Sequence, residues 1–511
     1  VEIEIPSSVT QFKNSVFHSC TSLEKVSFES IIQTIENDTF YGCQSLKHII
    51  FPLSLTSIGN NVFYECSSIT EISFPSPLNS IGNSAFEKCA SLSKITLPSS
   101  LKSIGSNCFC ECSSLLEIII PCSIESIGHN AFERCVSLTK VDIQCKTNSN
   151  DDNEKIYSLS TIGSYCFSGC SSLKEIILPN SLLSVEDGIF EKCSKLENII
   201  IPKSVESIGN NAFNGCSSLG EIEIPPSCKS IGNNAFKKCE SLKQLTIPDS
   251  VSSIGLSCFY ECSSLVKINI PNSLTEIGDS LFYKCSSLTK IEIPESITVI
   301  DNNSFSECKL LKKITIPHSV QLIGENAFCN CLSIKRIAIP SSVKFILSNA
   351  FNGCKSLSEI TIDPYKTQIE VNTFSGCSLS MHLIFGQSVT EIIPENLNLF
   401  RNITKITIPN SVTTIGSNSF VGRVELKEIV ISDSVSMIGN LAFAECSSLK
   451  RITIPPSIKE FPYTAFNKCV NLREITIDPY RTKVKQNLYS TCSSLKHLIF
   501  GRSVKEIKKI D

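Results

Sequence analysis

This sequence has few histidines, little excess of either charge and no long apolar run. Only six of its 511 residues are histidine, and no phosphate-binding loop or nucleophile elbow stands in a strand–turn–helix context. Histidine is the commonest metal ligand and a frequent general base, so its scarcity argues against both kinds of site. The sequence therefore predicts a protein that is not an enzyme, with no cofactor and no metal.

Charge and hydropathy exclude two further classes of partner. The chain has 46 basic and 49 acidic residues and no basic stripe, so we expect no nucleic-acid partner. No apolar run approaches the roughly 18 residues of a transmembrane helix, so we expect no direct membrane insertion by this chain.

A repeat of 23 residues dominates what is present. We count each repeat from its phenylalanine as position 0. Position 0 recurs 21 times and is Phe in 19 of them, the exceptions being Leu397 and Tyr489. The phenylalanines are Phe17, Phe40, Phe63, Phe86, Phe109, Phe132, Phe167, Phe190, Phe213, Phe236, Phe259, Phe282, Phe305, Phe328, Phe351, Phe374, Phe420, Phe443 and Phe466. A unit this short cannot bury its own apolar face, so stacked units must share one core.

Other positions repeat with the phenylalanine. Position −5 is apolar, position +3 is Cys in 19 of 21 repeats, and positions +9 and +11 are mostly Ile, Val or Leu. The segment from +6 to +12 alternates apolar and polar residues and usually ends in Pro, which predicts a short strand. A glycine at −4, such as Gly209, suits a bend with positive φ. Residues 210–216 favour a single helical turn.

This template resembles the BspA-like leucine-rich repeats. It has the form Leu-x-x-Ile-x-Ile-Pro-x-Ser-Val-x-x-Ile-Gly-x-x-Ala-Phe-x-x-Cys-x-Ser-Leu, and residues 196–219 and 242–265 are its cleanest copies. The resemblance implies a leucine-rich-repeat β-solenoid with a parallel sheet on one wall and short helical turns, about 21 repeats of 23 residues. It also implies a role in surface adhesion or host interaction, since the family occurs in surface proteins of bacteria and parasitic protists.

The unbroken period predicts one solenoid domain over residues 1–511. A polar insertion of 12 residues near 144–155 predicts a surface loop, either a tolerated insertion or a protrusion that contacts a ligand. A five-repeat block is duplicated, with its copies ending near 392 and 507. Thr361-Ile-Asp-Pro-Tyr365 recurs as Thr476-Ile-Asp-Pro-Tyr480.

Cysteine is abundant, with 27 residues, of which 19 occupy position +3. Neighbouring strands are about 4.8 Å apart, which suits a disulfide poorly. We therefore expect buried thiols at this position.

The strand surface is where a ligand is expected. Positions +8 and +10 should point outward, and two interpretations of their charges remain open: a solvated ladder of cross-strand ion pairs, or an extended concave face that binds a protein or glycan. The candidate ligand-binding residues are Lys267, Asn269, Lys290, Glu292, Lys313 and Arg336.

The sequence thus favours a non-catalytic protein- or glycan-binding module at the cell surface or secreted. The alternative is a cytoplasmic scaffold or filament-associated repeat protein.

Overall fold

The structure is a computed structural model that describes residues 1–148, 151–395, 397–400, 402–478, 482–484 and 495–500. It forms two compact units: Val1–Leu274 with Leu281–Ser287, and Thr275–Ser280 with Leu288–Asp511. Each unit is a parallel β-solenoid with one turn of chain, or rung, per repeat. Among the described residues, no helix has the length and apolar character needed to cross a membrane.

The predicted strand forms the first wall of each unit, which we call the strand wall. Strands one repeat apart pair in parallel, as Ile72 does with Ile95 and Ile337 with Ile360. In the first unit the strands are Glu2–Ile5, Lys25–Phe28, His48–Ile50, Glu71–Ser73, Lys94–Thr96, Glu117–Ile120, Lys140–Ile143, Glu175–Ile177, Asn198–Ile200, Gln244–Leu245 and Lys267–Ile268. In the second unit they are Arg336–Ala338, Glu359–Ile362, Met381–Phe385, Ile403–Thr407, Glu428–Val430, Arg451–Thr453, Glu474–Ile477 and His497–Phe500.

A second parallel ladder, at positions −6 and −5, was not predicted. We call it the short-strand wall. It exists because position −5 points inward and its backbone is extended, so neighbouring rungs bond in register. In the first unit its strands are Thr34–Ile35, Ser57–Ile58, Ser80–Ile81, Ser103–Ile104, Ser126–Ile127, Thr161–Ile162, Ser184–Val185, Ser207–Ile208, Ser230–Ile231 and Ser253–Ile254. In the second unit they are Glu276–Ile277, Val299–Ile300, Leu322–Ile323, Phe345–Ile346, Gln368–Ile369, Glu391–Ile392, Thr414–Ile415, Met437–Ile438, Glu460–Phe461 and Lys483–Val484.

The predicted helical turn around position 0 is instead a pair of tight turns. The Asn214 and Cys216 N–H groups donate to carbonyls three residues back, and Asn211 and Gly215 have φ of 54° and 80°. A left-handed residue on each side of the phenylalanine breaks any helix. The Phe213 N–H donates outward to the Ala235 carbonyl of the next rung, at 2.8 Å. Two 3₁₀ helices, Leu397–Leu399 and Tyr463–Phe466, are the helical elements of the described chain.

The phenylalanines form the core. Within the first unit, rings from Phe17 to Phe282 stack at centroid distances such as 5.3 Å between Phe213 and Phe236. In the second unit, Phe374 stacks on Phe400 at 5.2 Å, and not on Leu397, the residue at the 23-residue spacing. The chain therefore shifts by three residues to keep an aromatic ring in the column.

Glycine at position −4 is needed for close approach and not for positive φ, which corrects the expectation for Gly209. A Cβ on Gly209 would lie 2.6 Å from the Asp187 backbone nitrogen of the preceding rung. The period of the solenoid brings the two backbones together here, and a side chain would separate them.

The insertion contains two short strands that the sequence did not predict. Lys146–Asn148 and Asp151–Ile156 pair antiparallel, with Lys146 opposite Ile156. Tyr489, Tyr480 and the predicted end of the duplicated block near residue 507 lie outside the described residues.

Candidate functional site

The cysteine column is one candidate for a reactive or metal-binding centre. Among the described residues, the cysteines at position +3 are buried apart from Cys20. The Cys66 thiol donates to the Phe40 carbonyl at 3.1 Å, and the same contact repeats along the column. Burial raises the pKa of the Cys43 thiol to about 11 and that of Cys446 to about 12. A thiol that stays protonated is a poor nucleophile and metal ligand, and no cluster of potential metal ligands occurs among the described residues.

The structure divides the six predicted ligand-binding residues. Lys267 and Asn269 belong to the first unit, and the other four belong to the second. The Asn269 amide is already used: its nitrogen donates to the Ile247 carbonyl at 2.7 Å, and its oxygen accepts from the Ile247 N–H at 2.7 Å. Asn269 thus replaces a missing backbone bond of the ladder and has little capacity left for a ligand.

Lys290 and Glu292 are also partnered. The Lys290 ammonium lies 2.5 Å from the Glu292 carboxylate, two residues along the same rung. This hydrogen bond lowers the pKa of Glu292, with a further contribution from Lys313. The pair cancels its own charge.

Lys313 and Arg336 line a groove of about 810 Å³ in the second unit. We call it the basic groove and define it by Lys312, Lys313, Lys335, Arg336, Ala338 and Glu359. The four cations occupy positions +7 and +8 of two neighbouring rungs, and all four are exposed. Sequence reasoning missed Lys312 and Lys335 because it considered positions +8 and +10 alone; consecutive Lys-Lys and Lys-Arg pairs 23 residues apart were the available signal.

Beyond Glu359, three outward side chains of the strand wall have charged or polar partners. The Glu359 carboxylate lies 3.5 Å from His382 Nδ1, and His382 Nε2 lies 2.8 Å from the Thr407 hydroxyl. Lys405 pairs with Glu428 at 2.9 Å. The predicted cross-strand ion pairs are therefore present on this wall, but among the described residues the four cations of the basic groove take no part in them.

The Asp-Pro-Tyr turn closes the strand-end side of the basic groove. Asp363 is buried, and its carboxylate accepts hydrogen bonds from the Ser388 hydroxyl at 2.5 Å and the Tyr365 N–H at 3.1 Å. The Tyr365 hydroxyl donates to the Ile393 carbonyl at 2.9 Å, and burial raises the Tyr365 pKa. Most repeats have Pro at this position, whereas this turn has Asp-Pro-Tyr. The Asp and Tyr side chains form hydrogen bonds that connect neighbouring rungs.

The described repeats match the BspA type leucine rich repeat region over almost the whole chain. The matched residues are 1–97, 33–156, 154–246, 229–355, 275–405, 321–431 and 392–510. The chain belongs to this family. Its solenoid fold and its identification as a leucine-rich repeat protein are thereby confirmed. Leucine-rich-repeat solenoids are typically non-catalytic binding scaffolds, and the family indicates no catalytic activity.

Solved leucine-rich repeat structures are similar to this BspA-type chain. A leucine-rich repeat protein from Bacteroides ovatus is 28% identical, with 76% of this chain and 91% of that chain covered and a TM-score of 0.43. A leucine rich cell surface protein from Faecalibacterium prausnitzii is 25% identical, with 70% and 86% covered and a TM-score of 0.38. No curated protein matches.

Proposed function

We propose that this chain is a cell-surface or secreted adhesion module that binds a protein through the strand wall of the second unit. The observation that carries this proposal is the basic groove, whose four cations form no ion pair among the described residues, whereas Lys290 and Lys405 of the same unit do. A family used at the surfaces of bacteria and protists supports the surface location. We further propose that residues 1–511 act as one solenoid.

The groove lies on a rigid support, as binding surfaces require. Ile314, Ile337 and Ile360 beneath it are buried, and the Arg336–Ala338 strand pairs in parallel with Glu359–Ile362. A partner could therefore dock without ordering the backbone first, which lowers the entropic cost of binding.

Cell binding tests this proposal. Biotinylated chain would be added to cultured epithelial cells before and after trypsin treatment of the cell surface, or after glycosidase treatment. We expect binding that trypsin abolishes and that Lys313→Glu with Arg336→Glu reduces. Loss after glycosidase treatment alone would indicate a glycan ligand instead.

A matched control separates the site from net charge. Lys195, Lys203 and Lys355 are exposed and lie off the strand wall. Changing two of them to Glu alters the net charge as much as the groove reversal does, and we expect full cell binding. Equal losses in both variants would show that binding is non-specific, and undiminished binding in the groove variant would refute the proposed site.

A further inference from the structure

The basic groove has two chemically different edges. Lys312, Lys313, Lys335 and Arg336 lie at the start of the Arg336–Ala338 strand and at the same positions of the preceding rung. Thr315, Ala338 and Thr361, at position +10 of three successive rungs, lie toward the strand ends. A ligand that crosses the strands would therefore meet cations along one side and small, mostly uncharged side chains along the other.

The cations lack the partners that neighbouring lysines have. Among the described residues, Lys290 and Lys405 each contact a carboxylate, whereas none of the four groove cations forms an ion pair. Like charges occupy the same exposed positions, +7 and +8, of two neighbouring rungs, and like charges on neighbouring strands are unfavourable. A ligand that supplied carboxylates would relieve this repulsion and would form charge-assisted hydrogen bonds.

Ala338 gives the groove its space. It is exposed between Thr315 and Thr361, and it is the smallest of the three side chains. The resulting volume of about 810 Å³ lies within the roughly 300–1,000 Å³ of typical ligand sites. An apolar side chain of a partner fits the space above Ala338.

We propose that the basic groove binds an extended acidic peptide segment that crosses the strands, with carboxylates on the four cations and an apolar side chain over Ala338. This inference rests on the proposed function, since it requires a protein partner at the strand wall. The four cations favour an acidic segment because its charge is opposite to theirs. The space above Ala338 favours a segment that also has apolar side chains over a uniformly charged polymer.

Glu359 limits the affinity of the groove. Its carboxylate lines the groove, and its backbone pairs with that of Arg336 on one side and that of His382 on the other. It repels an incoming carboxylate and attracts the same cations. Removing its charge in Glu359→Gln should strengthen the binding of an acidic ligand, while any structural role in the ladder is kept.

The experiment uses labelled peptides and the full chain. The probe is a fluorescein-labelled octapeptide of alternating Asp and Leu, followed by fluorescence anisotropy. The comparison peptides replace every Asp with Asn or every Leu with Ser. We expect the Asp-Leu peptide to bind and both comparison peptides to bind at least about tenfold more weakly, a difference that corresponds to about 1.4 kcal/mol. Binding should weaken as salt is added.

Variants then assign the site. Ala338→Phe fills the space without altering charge and should abolish binding of the Asp-Leu peptide. Thr453→Phe is the matched control, since Thr453 is an exposed position +10 residue outside the groove. Lys313→Glu with Arg336→Glu should abolish binding, and Glu359→Gln should strengthen it. Circular dichroism of each variant checks that the solenoid is intact.

Three results would overturn the inference. Equal binding of the Asp-Ser peptide would show that charge alone is recognised, and undiminished binding by folded Ala338→Phe would place the site elsewhere. Heparin that binds in place of the peptide would indicate a sulfated glycan ligand. If trypsin-sensitive cell binding depends on Lys313 and Arg336 while no peptide binds, this inference fails and the proposed function stands.

Discussion

The two units have the same interior and different outward surfaces. In the first unit the short-strand wall carries a hydroxyl at position −6 on ten described rungs, and Ser80 donates to Ser57 at 2.9 Å. In the second unit the same position is Val299, Leu322 and Phe345 on three successive rungs, and Phe345 is 44% exposed. The inward residue of each of these short strands remains apolar.

The strand walls differ in the same way. In the first unit, Ile177 and Ile200 are 63% and 78% exposed, and a depression of about 620 Å³ is lined by Glu221 and Glu223. In the second unit the corresponding columns form the basic groove. An inward side chain packs against the rungs on both sides, so its size and polarity are constrained in every repeat. An outward side chain contacts only its surface neighbours and is free to vary. The repeat can therefore keep one fold while its surfaces diverge.

The largest expected effect tests whether the interiors are equivalent. Phe213→Ala in the first unit and Phe328→Ala in the second each remove a fully buried ring that stacks on both sides. Each should lower the stability of its region by about 3–5 kcal/mol. Hydrogen exchange measured rung by rung would report both losses. Clearly different losses of stability in the two variants would show that the two cores are not equivalent.

Alkaline pH should destabilise the fold through its thiols. An unfolded cysteine ionises near its ordinary pKa of 9.0, whereas burial raises that of Cys43 to about 11. The folded state therefore binds more protons between these values, and stability falls as pH rises from about 9 to 11. Thiolate absorbance should stay low in native protein over this range and rise on unfolding. Early ionisation of most thiols in folded protein would contradict the buried column.

Adding a side chain at position −4 should lower the stability by the same amount in both units, because the backbones of neighbouring rungs approach closely there. A Cβ on Gly209 or on Gly324 would lie 2.6 Å from backbone atoms of the preceding rung. Gly209→Ala and Gly324→Ala should each destabilise by about 1–3 kcal/mol. Gly220→Ala is the control, because a Cβ there meets nothing within 4 Å. Denaturant melts of the three variants decide the point, and a loss at Gly220 equal to the others would argue against the contact explanation.

The smallest expected effect concerns the surface ion pairs. Lys25 pairs with Glu2 at 3.3 Å in the first unit, and Lys405 with Glu428 at 2.9 Å in the second. Double-mutant cycles to alanine should give coupling of about 0.2–1 kcal/mol for each pair, and less at high salt. Coupling above this range in one unit alone would show that the strand walls differ in stability as well as in ligand chemistry.

The period of 23 residues determined the parallel solenoid, the strand wall and the buried phenylalanine and cysteine columns. These follow from local spacing, since a column that recurs in every rung can be buried only by stacking. The sequence also pointed to Lys313 and Arg336, because their outward position follows from strand alternation.

The tertiary structure decided what depends on contacts between rungs. Tight turns replaced the predicted helical turn because left-handed residues let the N–H of position 0 bond to the next rung. Asn269 and Lys290 acquired partners that their spacing did not reveal, whereas Lys312, Lys335 and Ala338 joined Arg336 around one groove. Burial and charge pairing depend on which residues are neighbours in space. The repeat in the sequence predicts these neighbours only at positions where every rung has the same kind of residue.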